Sequence, residues 1–347
     1  MKTIREVEVK GKTVLVRVDY NVPMKDGKIT SDLRIRASLP TLEYLREQGA
    51  KKIVLISPLG RPEGRDEKLS LESVAKALDE MIGKVYFMNE TYGEKVAEKV
   101  EALKNGEILL LENLRFDKRE EENSEEFAEE IIEAVKPDLY VQEGFAVLHR
   151  AHASTSALAK KLETVAGFLV EKEVNGLEEI IKAPKKPVLL IIGGAKVSDK
   201  EPLIKKFEGI ADMIAVGGKI AADGYKGADG IYVAEDFDED TSGAKLDVGP
   251  LATVKITEMI EKAKTIVWNG VLGYTEDPAY ATASTIVAEA MGEKKDGTTV
   301  VLGGDTTGFV ENLMEEHPNL GYSLVSTGGG AALEFLLGKE MPGLAYL

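Results

Sequence analysis

The chain has 347 residues, a length that one hydrophobic core rarely fills and that two domains fill comfortably. Its composition of 44% hydrophobic and 30% charged residues is ordinary for a soluble globular protein, and its net charge of −16 argues against nucleic acid or an anionic membrane as a partner. The absence of cysteine excludes disulfides and thiolate metal sites, and no apolar run is long enough to cross a bilayer. The first ten residues lack the apolar stretch of a signal peptide, so we expect a cytoplasmic protein. Glutamine is nearly absent while Glu and Lys are abundant, which is typical of a thermophile protein.

Short apolar, β-branched runs alternate with amphipathic segments in the first half of the chain. The runs predict strands at residues 13–18, 52–57, 85–88, 108–111 and 139–142. The segments between them predict helices at residues 35–46, 71–82, 94–103 and 124–135. Alternation of this kind indicates a parallel sheet with helices on both faces.

The second half repeats the pattern, with strands predicted at residues 188–192, 213–216, 265–268, 299–302 and 323–326. An amphipathic helix at residues 171–181 and a proline-bounded loop at 183–187 place the joint near residues 167–181. The simplest architecture is therefore two open α/β domains in tandem. In such sheets, ligands bind beyond the carboxyl ends of the strands, so the residues that follow each strand matter most.

Arginines and other polar residues follow the predicted strands of the first half. A single arginine is more often a solvated surface charge than a ligand. Several at equivalent strand ends favour one cluster that can fork onto phosphate and carboxylate oxygens. The residues in these positions are Asp19, Asn21, Arg34, Arg61, Arg115 and Arg150.

Glycine-rich turns follow the predicted strands of the second half. They begin at Gly193, Gly303 and Thr327, and the first one carries Lys196 and Lys200 into the following helix. Glycine lets backbone N–H groups approach phosphates, and the start of a helix favours negative charge. Many such turns only permit tight packing, but three of them, together with an Asp305 that could hold Mg²⁺, favour a nucleotide phosphate site.

The motifs of several competing enzyme classes are missing. The chain has no Gly-x-x-x-x-Gly-Lys-Ser/Thr loop, no Gly-x-Gly-x-x-Gly after its first strand and no serine nucleophile elbow. Its three histidines lack metal-ligand spacing. These absences weaken the hydrolase, metalloenzyme and dehydrogenase interpretations.

Taken together, the strand-end segments resemble phosphoglycerate kinase in order and spacing along nearly the whole chain. In the first half they read RVDYNVP at 17–23, RIRASLP at 34–40, LGRP at 59–62, ENLRF at 112–116 and HRAHAS at 149–154. In the second half they read GGAKVSDK at 193–200, LDVGP at 246–250, WNG at 268–270, GDT at 304–306 and STGGGA at 326–331.

The resemblance implies a reaction in which ATP and 3-phosphoglycerate give ADP and 1,3-bisphosphoglycerate, with in-line transfer and domain closure. It implies that the arginine cluster named above binds the phosphoglycerate and that Mg²⁺ accompanies the nucleotide, held by Asp305. Its catalytic residues would be Arg34, Lys200, Gly304 and Gly328. Its nucleotide-binding residues would be Gly194, Lys196, Lys200, Asn269, Glu276, Gly304, Asp305, Thr306, Gly328 and Gly329.

The fold implied is α/β, with two Rossmann-like open parallel-sheet domains separated by a cleft. Residues 1–170, joined by a returning C-terminal segment of about 333–347, would form the phosphoglycerate domain, and residues 171–332 the nucleotide domain. The family precedent also implies a monomer that acts on small molecules, without nucleic acid or membrane partners.

The sequence departs from the family pattern at several places. Pro58 stands where the family usually has histidine, Gln142 and Glu143 stand where it has Asn-Asp, and Val271 stands where it has proline. The chain is also shorter than typical members between residues 221 and 246, where the family places a helix, a strand and a loop of the adenosine pocket.

These departures leave two alternatives beside phosphoglycerate kinase activity. One is a paralogous kinase for another phosphorylated carboxylic acid, which the changes at Pro58 and Gln142 favour. The other is a non-catalytic regulator that keeps the fold, which the shortened nucleotide domain favours and the retention of Lys196, Lys200 and Asp305 opposes.

Overall fold

The computed structural model describes residues 1–25 and 27–347, and these form two compact units. The first unit contains Met1–Lys172 and Glu340–Leu347, and the second contains Glu173–Lys339. The returning segment is thus shorter than the predicted 333–347. Residues 333–339 stay with the second unit because most of them continue a helix that begins at Gly330 and buries Ala331 and Leu336 there.

Among the described residues, the first unit contains eight strands, five α-helices and the start of a sixth. In chain order these are β1 (Thr13–Arg17), β2 (Met24–Lys25), β3 (Lys28–Ile29), α1 (Leu33–Glu47), β4 (Lys52–Ile56), α2 (Glu72–Ile82), β5 (Val85–Met88), α3 (Glu94–Ala102), β6 (Glu107–Leu111), α4 (Glu125–Val135), β7 (Leu139–Gln142), α5 (Leu158–Lys161), β8 (Thr164–Ala166) and α6 (Phe168–Lys182). Six of the strands form a parallel sheet in the order β5-β6-β4-β1-β7-β8, and β2 and β3 form an antiparallel pair.

The second unit contains the end of α6 and the remaining elements. In chain order these are β9 (Val188–Ile192), α7 (Val197–Phe207), β10 (Met213–Val216), α8 (Gly218–Ala222), β11 (Ile231–Val233), β12 (Phe237–Glu239), β13 (Lys245–Val248), α9 (Pro250–Lys262), β14 (Thr265–Asn269), α10 (Thr282–Gly292), β15 (Thr298–Leu302), α11 (Gly304–Glu316), β16 (Leu324–Val325) and α12 (Gly330–Leu336). Its parallel sheet has the order β11-β10-β9-β14-β15-β16, and β12 pairs antiparallel with β13.

Each sheet is covered on both faces, which explains why its strands read as continuous apolar runs. In β1, Val14 and Val16 pack into one hydrophobic cluster of the first unit, whereas Leu15 packs into another. The prediction of two α/β sheets is confirmed. Every predicted strand is present, with its ends within one residue of the predicted ends.

Strand order reverses at one point in each sheet. In the first, the chain moves from β1 to β4 on one side and later returns to β7 on the other. In the second, β9 lies between β10 and β14 in the same way. Loops diverge at these switch points, and the resulting crevices are where open α/β sheets bind ligands.

The stretch at residues 221–246 contains the end of the short helix α8, the edge strand β11, the strand β12 and the start of β13. Across the part of the chain that the structure describes, no helix is both long enough and apolar enough to cross a bilayer.

Candidate active site

Three of the predicted substrate residues are linked by the loop that follows β1. Asp19 is buried, and its carboxylate pairs with the Arg34 guanidinium at the start of α1. The other carboxylate oxygen of Asp19 accepts the Asn21 N–H at 3.3 Å. The Asn21 side-chain oxygen accepts the Gly60 N–H at 2.8 Å, which ties this loop to the one after β4.

Arg115 reaches the same loop from the end of β6. Its guanidinium donates to the Gly60 carbonyl at 2.7 Å, so Gly60 is held by Asn21 on one side and Arg115 on the other. Burial lowers the pKa of Arg115, and Glu121, with its carboxylate 3.2 Å from the Arg115 Nε, opposes that shift. Arg61, next in the chain to Gly60, is exposed.

The HRAHAS segment adds further groups to this edge of the sheet. Arg150 is exposed, and its Nε donates to His149 Nε2 at 3.1 Å. Burial lowers the pKa of His152 to about 4, and the positive charges of Arg17, Arg115 and Arg150 add to the effect. His152 is therefore neutral at pH 7, and the charges that act on it show that these arginines share one neighbourhood.

Arg17 lies at the same edge, and in the sequence it stands out only as the first residue of the RVDYNVP motif. It ends β1 fully buried, and its Nε donates to Ser154 Oγ at 3.2 Å. Ser154 Oγ donates in turn to the buried Glu120 carboxylate at 2.6 Å. Burial raises the pKa of Glu120, and the charge of Arg17 opposes that rise. The signal in the sequence was an arginine that ends an otherwise apolar strand.

The residues of the first unit that depart from the family pattern are buried and make separate contacts. Gln142 donates to the Ser154 carbonyl at 3.1 Å. One carboxyl oxygen of Glu143 accepts from Thr41 Oγ1 at 2.8 Å and from the Leu169 N–H at 3.2 Å. Burial raises the pKa of Glu143 well above its usual value, which favours the neutral acid. Pro58 is buried and offers no donor to this edge.

In the second unit, the loops that follow β9 and β14 lie at the switch point, and their backbones are in direct contact. A methyl group at Gly193 would overlap the carbonyl oxygens of Gly270 and Val271, and Gly270 has a φ of +98°. The Gly194 N–H donates to the Val271 carbonyl at 2.8 Å. Glycine is therefore required here for the close packing of the two loops.

Lys200, Asn269 and Asp305 come together beside these loops. The Lys200 ammonium, in the first turn of α7, donates to the side-chain oxygen of the buried Asn269. Burial lowers the pKa of Lys200, and the nearby charges of Asp199 and Asp305 raise it. Lys196 lies outside this group, because it precedes α7 and is exposed.

The other predicted turn residues differ in whether they already make hydrogen bonds within the protein. Gly304 is exposed at the start of α11, and Gly329, with a φ of +51°, precedes α12. Thr306 is buried, and its hydroxyl accepts the Gly270 N–H at 2.7 Å. Gly328 is also buried, and its N–H donates to Ser326 Oγ at 3.1 Å. Two of the predicted phosphate-binding groups thus already have partners within the second unit.

A cavity of about 220 Å³ opens beside the switch point. Gly194, Glu276 and Asp305, all predicted to bind nucleotide, line it together with the apolar Leu246 and Leu272. Within residues 1–25 and 27–347, no group of three or more potential ligands could hold a metal ion by itself. A lone carboxylate such as Asp305 suits Mg²⁺, which usually keeps several waters and completes its shell with substrate phosphates.

Comparisons with known proteins agree on one family. The family model described as phosphoglycerate kinase matches residues 4–241 and 226–339. The phosphoglycerate kinase of Dictyoglomus turgidum is 39% identical over 393 aligned positions, covering 99% of this chain and 97% of the relative. That of Thermosipho africanus is 40% identical over 396 positions, with the same coverage. Both alignments are longer than the 347 residues of this chain, and the two matched segments of the family model overlap at 226–241, within the stretch expected to be shortened.

Solved structures give the same result at the level of the fold. The phosphoglycerate kinase of Pyrococcus horikoshii superposes with a TM-score of 0.87 at 30% identity, covering 100% of this chain and 98% of the other. That of Coxiella burnetii gives a TM-score of 0.81 at 32% identity, with 99% and 98% covered. The chain therefore belongs to the phosphoglycerate kinase family and is an enzyme, a phosphotransferase.

Proposed function

We propose that this enzyme transfers a phosphoryl group between ATP and the carboxylate of 3-phosphoglycerate, with ADP and 1,3-bisphosphoglycerate as the other pair. One observation carries the proposal. The first unit gathers Arg34, Arg115 and Arg150 at the carboxyl ends of its strands, and the second gathers Lys200 and Asp305 beside its glycine turns. These two sets suit an anionic acceptor and a nucleotide respectively.

The cluster in the first unit would bind the phosphoglycerate through Asp19, Asn21, Arg34, Arg61, Arg115 and Arg150. Arg34 could contact a substrate as well as Asp19, because its side chain is still 31% exposed while its guanidinium pairs with Asp19. A phosphate or carboxylate oxygen could therefore replace part of the Asp19 contact. Charge-assisted bonds from a planar guanidinium are the strong, orientation-specific kind that a transferring phosphoryl group requires.

The histidines have no proton-transfer role in this proposal. The acceptor is a carboxylate, which is already ionised at pH 7 and needs no base to activate it. His152, with its pKa lowered to about 4, is a neutral imidazole at that pH and lacks the acidic proton of an imidazolium. Positioning and charge stabilisation account for the reaction without an acid–base residue.

In the second unit, the nucleotide would lie along the cavity and the glycine turns. Lys200 would contact the transferring phosphoryl oxygens, with Gly304 and Gly328 beside it, and Asp305 would hold Mg²⁺. When bound, Mg²⁺ would neutralise charge on the nucleotide phosphates. Gly194, Asn269, Glu276, Thr306 and Gly329 complete the proposed nucleotide set, whereas exposed Lys196 would have to reorient to join it.

We also propose that the protein acts as a cytoplasmic monomer without nucleic-acid partners. The net charge of −16 supports the exclusion of nucleic acid. Sedimentation in the presence and absence of duplex DNA would reveal a second copy or a complex.

A coupled assay with Mg-ATP tests the proposed reaction. The purified chain should phosphorylate 3-phosphoglycerate faster than it phosphorylates a panel of other phosphorylated carboxylates. A higher kcat/KM for another acid would mean that this acid is the substrate, and that the changes at Pro58 and Gln142 alter substrate specificity. Nucleotide binding without turnover on any acid would contradict the proposal.

A further inference from the structure

One loop of the second unit lies beside the nucleotide cavity and carries Glu276. It runs from the end of β14 at Asn269 to the start of α10 at Thr282. The Glu276 side chain is exposed, so the backbone of the loop determines where its carboxylate lies. Five residues of the loop line the cavity, namely Val271, Leu272, Gly273, Tyr274 and Glu276.

Asp247, in β13, lies directly against this loop. Its side chain is buried, and the residue also lines the cavity. A methyl group at Gly273 would overlap Asp247 Oδ1, so the loop backbone packs on the carboxylate. The other oxygen, Oδ2, accepts the Ala283 N–H at 3.0 Å, in the first turn of α10. One carboxylate therefore contacts the loop near its start and the helix at which the loop ends.

The buried position of Asp247 is costly, because a carboxylate loses its hydration there. Burial raises the pKa of its carboxyl, the N–H groups of Ala283 and Val248 oppose the rise, and the negative charge of Asp238 adds to it. The start of α10 favours negative charge, but Ala281, its N-cap residue, has no side-chain acceptor. Asp247 supplies that acceptor from β13.

A cap on α10 would by itself affect only the stability of the protein. The packing of the loop on the same carboxylate adds a second contact, on the side of the loop nearer to β14. Two hydrogen bonds hold the same part of the loop. The Tyr274 N–H donates to the Leu246 carbonyl at 2.8 Å, and the Leu272 N–H donates to Ser284 Oγ at 2.9 Å. A change at Asp247 would therefore shift a loop that lines the cavity.

We propose that Asp247 is a positioning residue that holds the loop between β14 and α10 in the conformation in which Glu276 binds the nucleotide. The inference rests on the proposed function, which includes Glu276 among the nucleotide-binding residues, and adds to it a buried group that acts through Glu276. Asparagine has the shape of aspartate but only one side-chain oxygen. Asp247→Asn therefore sets an amide donor against the N–H of either Ala283 or Val248.

The test is calorimetric binding of ADP by the wild type, Asp247→Asn, Glu276→Gln and the double variant. Each single substitution should weaken ADP binding about tenfold, since hydrogen bonds to charged groups are the strong ones. Because Asp247 acts through Glu276, the double variant should bind at most about twofold more weakly than the weaker of the two single variants. Losses that multiply to about a hundredfold would overturn the inference. ADP binding within about twofold of the wild type in either single variant would overturn it as well.

Asp229→Asn is the matched control, because it makes the same change at an exposed position that does not line the cavity. Its ADP affinity should stay within about twofold of the wild type. The affinity of Asp247→Asn for 3-phosphoglycerate should also be unchanged, and a parallel loss of both ligands would overturn the inference. Circular dichroism checks that each variant is folded. If Asp247→Asn does not fold, Asp247→Ser takes its place, because a hydroxyl can still accept one N–H.

Turnover and ADP binding separate failure of the inference from failure of the proposed function. If 3-phosphoglycerate is not phosphorylated, the proposed reaction is wrong, yet losses of ADP affinity that do not multiply would still support the role of Asp247. Turnover together with an ADP affinity that is insensitive to Asp247→Asn would support the reaction and overturn the inference. Failure of the folded wild type to bind ADP would contradict the inference as well.

Discussion

The two units build the edges that carry their proposed anion sites by opposite means. In the first, side chains carry the charge, and buried partners hold them, as Ser154 and Glu120 hold Arg17. In the second, backbone groups approach one another so closely at Gly193 and Gly270 that no side chain fits between them. A site of the first kind fails when a buried charge is removed. A site of the second kind fails when a methyl group is added.

Arg17→Met should produce the largest loss of stability, because it leaves the Glu120 carboxylate buried without its cation. Arg17 and Glu120 are joined through Ser154 Oγ rather than in direct contact, and we expect the loss to approach the roughly 3–5 kcal/mol of unfolding free energy that breaking a buried ion pair typically costs. Burial already raises the pKa of Glu120, so the loss should grow as the pH rises and the carboxyl ionises. Urea denaturation followed by far-UV circular dichroism measures it.

Arg61→Met is the control for that variant, since it removes an exposed arginine from the same edge. Its unfolding free energy should stay close to that of the wild type. A change below about 1 kcal/mol in Arg17→Met would mean that the buried network is not what holds this edge together.

Gly193→Ala should be next, with a loss of about 3 kcal/mol, because the new methyl group would overlap two carbonyl oxygens. Trp268 is a suitable fluorescent probe, since it is buried and its indole N–H donates to the Gly270 carbonyl at 2.8 Å. Gly308→Ala is the matched control, because its Cβ would meet open space inside α11. The control should gain up to about 1 kcal/mol from helix propensity. Equal stabilities of the two variants would refute the close-packing account.

Asp236→Ala should lower the unfolding free energy by a smaller amount, because it removes only a contact at the start of α9. The Asp236 carboxylate accepts the Leu251 and Ala252 N–H groups, each at 2.8 Å, and so caps α9 from the neighbouring hairpin. Loss of such a cap costs about 1 kcal/mol. Asp229→Ala, at an exposed position nearby, should change little. Equal urea midpoints for the two variants would argue against this anchor.

Glu143→Gln should alter the pH dependence of stability while leaving stability at low pH nearly unchanged. Burial raises the folded-state pKa of Glu143, so the folded protein binds its proton more tightly than the unfolded chain does. Stability from this group is therefore complete below the unfolded pKa and declines as the pH rises. The glutamine oxygen can still accept from Thr41 and Leu169, but it does not titrate.

Urea denaturation between pH 5 and pH 8 should show a steeper decline for the wild type than for Glu143→Gln. Parallel profiles for the two proteins would mean that the Glu143 carboxyl does not titrate differently on folding.

Much of the fold was readable from the sequence because the central strands are buried on both faces. Their apolar runs, such as residues 188–192, have sharp ends that coincide with the strands. The strands that were not predicted, β8, β11 and the short antiparallel pairs, have only two to four residues and lie at edges or outside the main sheets. Three residues are too few to show a period.

The sequence indicates candidate site residues only beside strand ends and helix starts. Arg34, Arg115 and Lys200 are candidates of this kind. The supporting partners could not be predicted, because they are distant in sequence: Arg17 and Ser154 are 137 residues apart. The hydrogen bonds that Thr306 and Gly328 make within the second unit could not be predicted either. A motif does not show whether a donor or an acceptor already has a partner.

The most direct test of the account is the kcat for Mg-ATP-dependent phosphorylation of 3-phosphoglycerate by the wild type, Arg34→Ala and Lys200→Ala. If each unit supplies a charge to the same transition state, each variant should lose about 10²–10³ in kcat, with urea midpoints close to that of the wild type. A variant that keeps kcat within tenfold of the wild type would contradict the claim that both units contribute to the transfer.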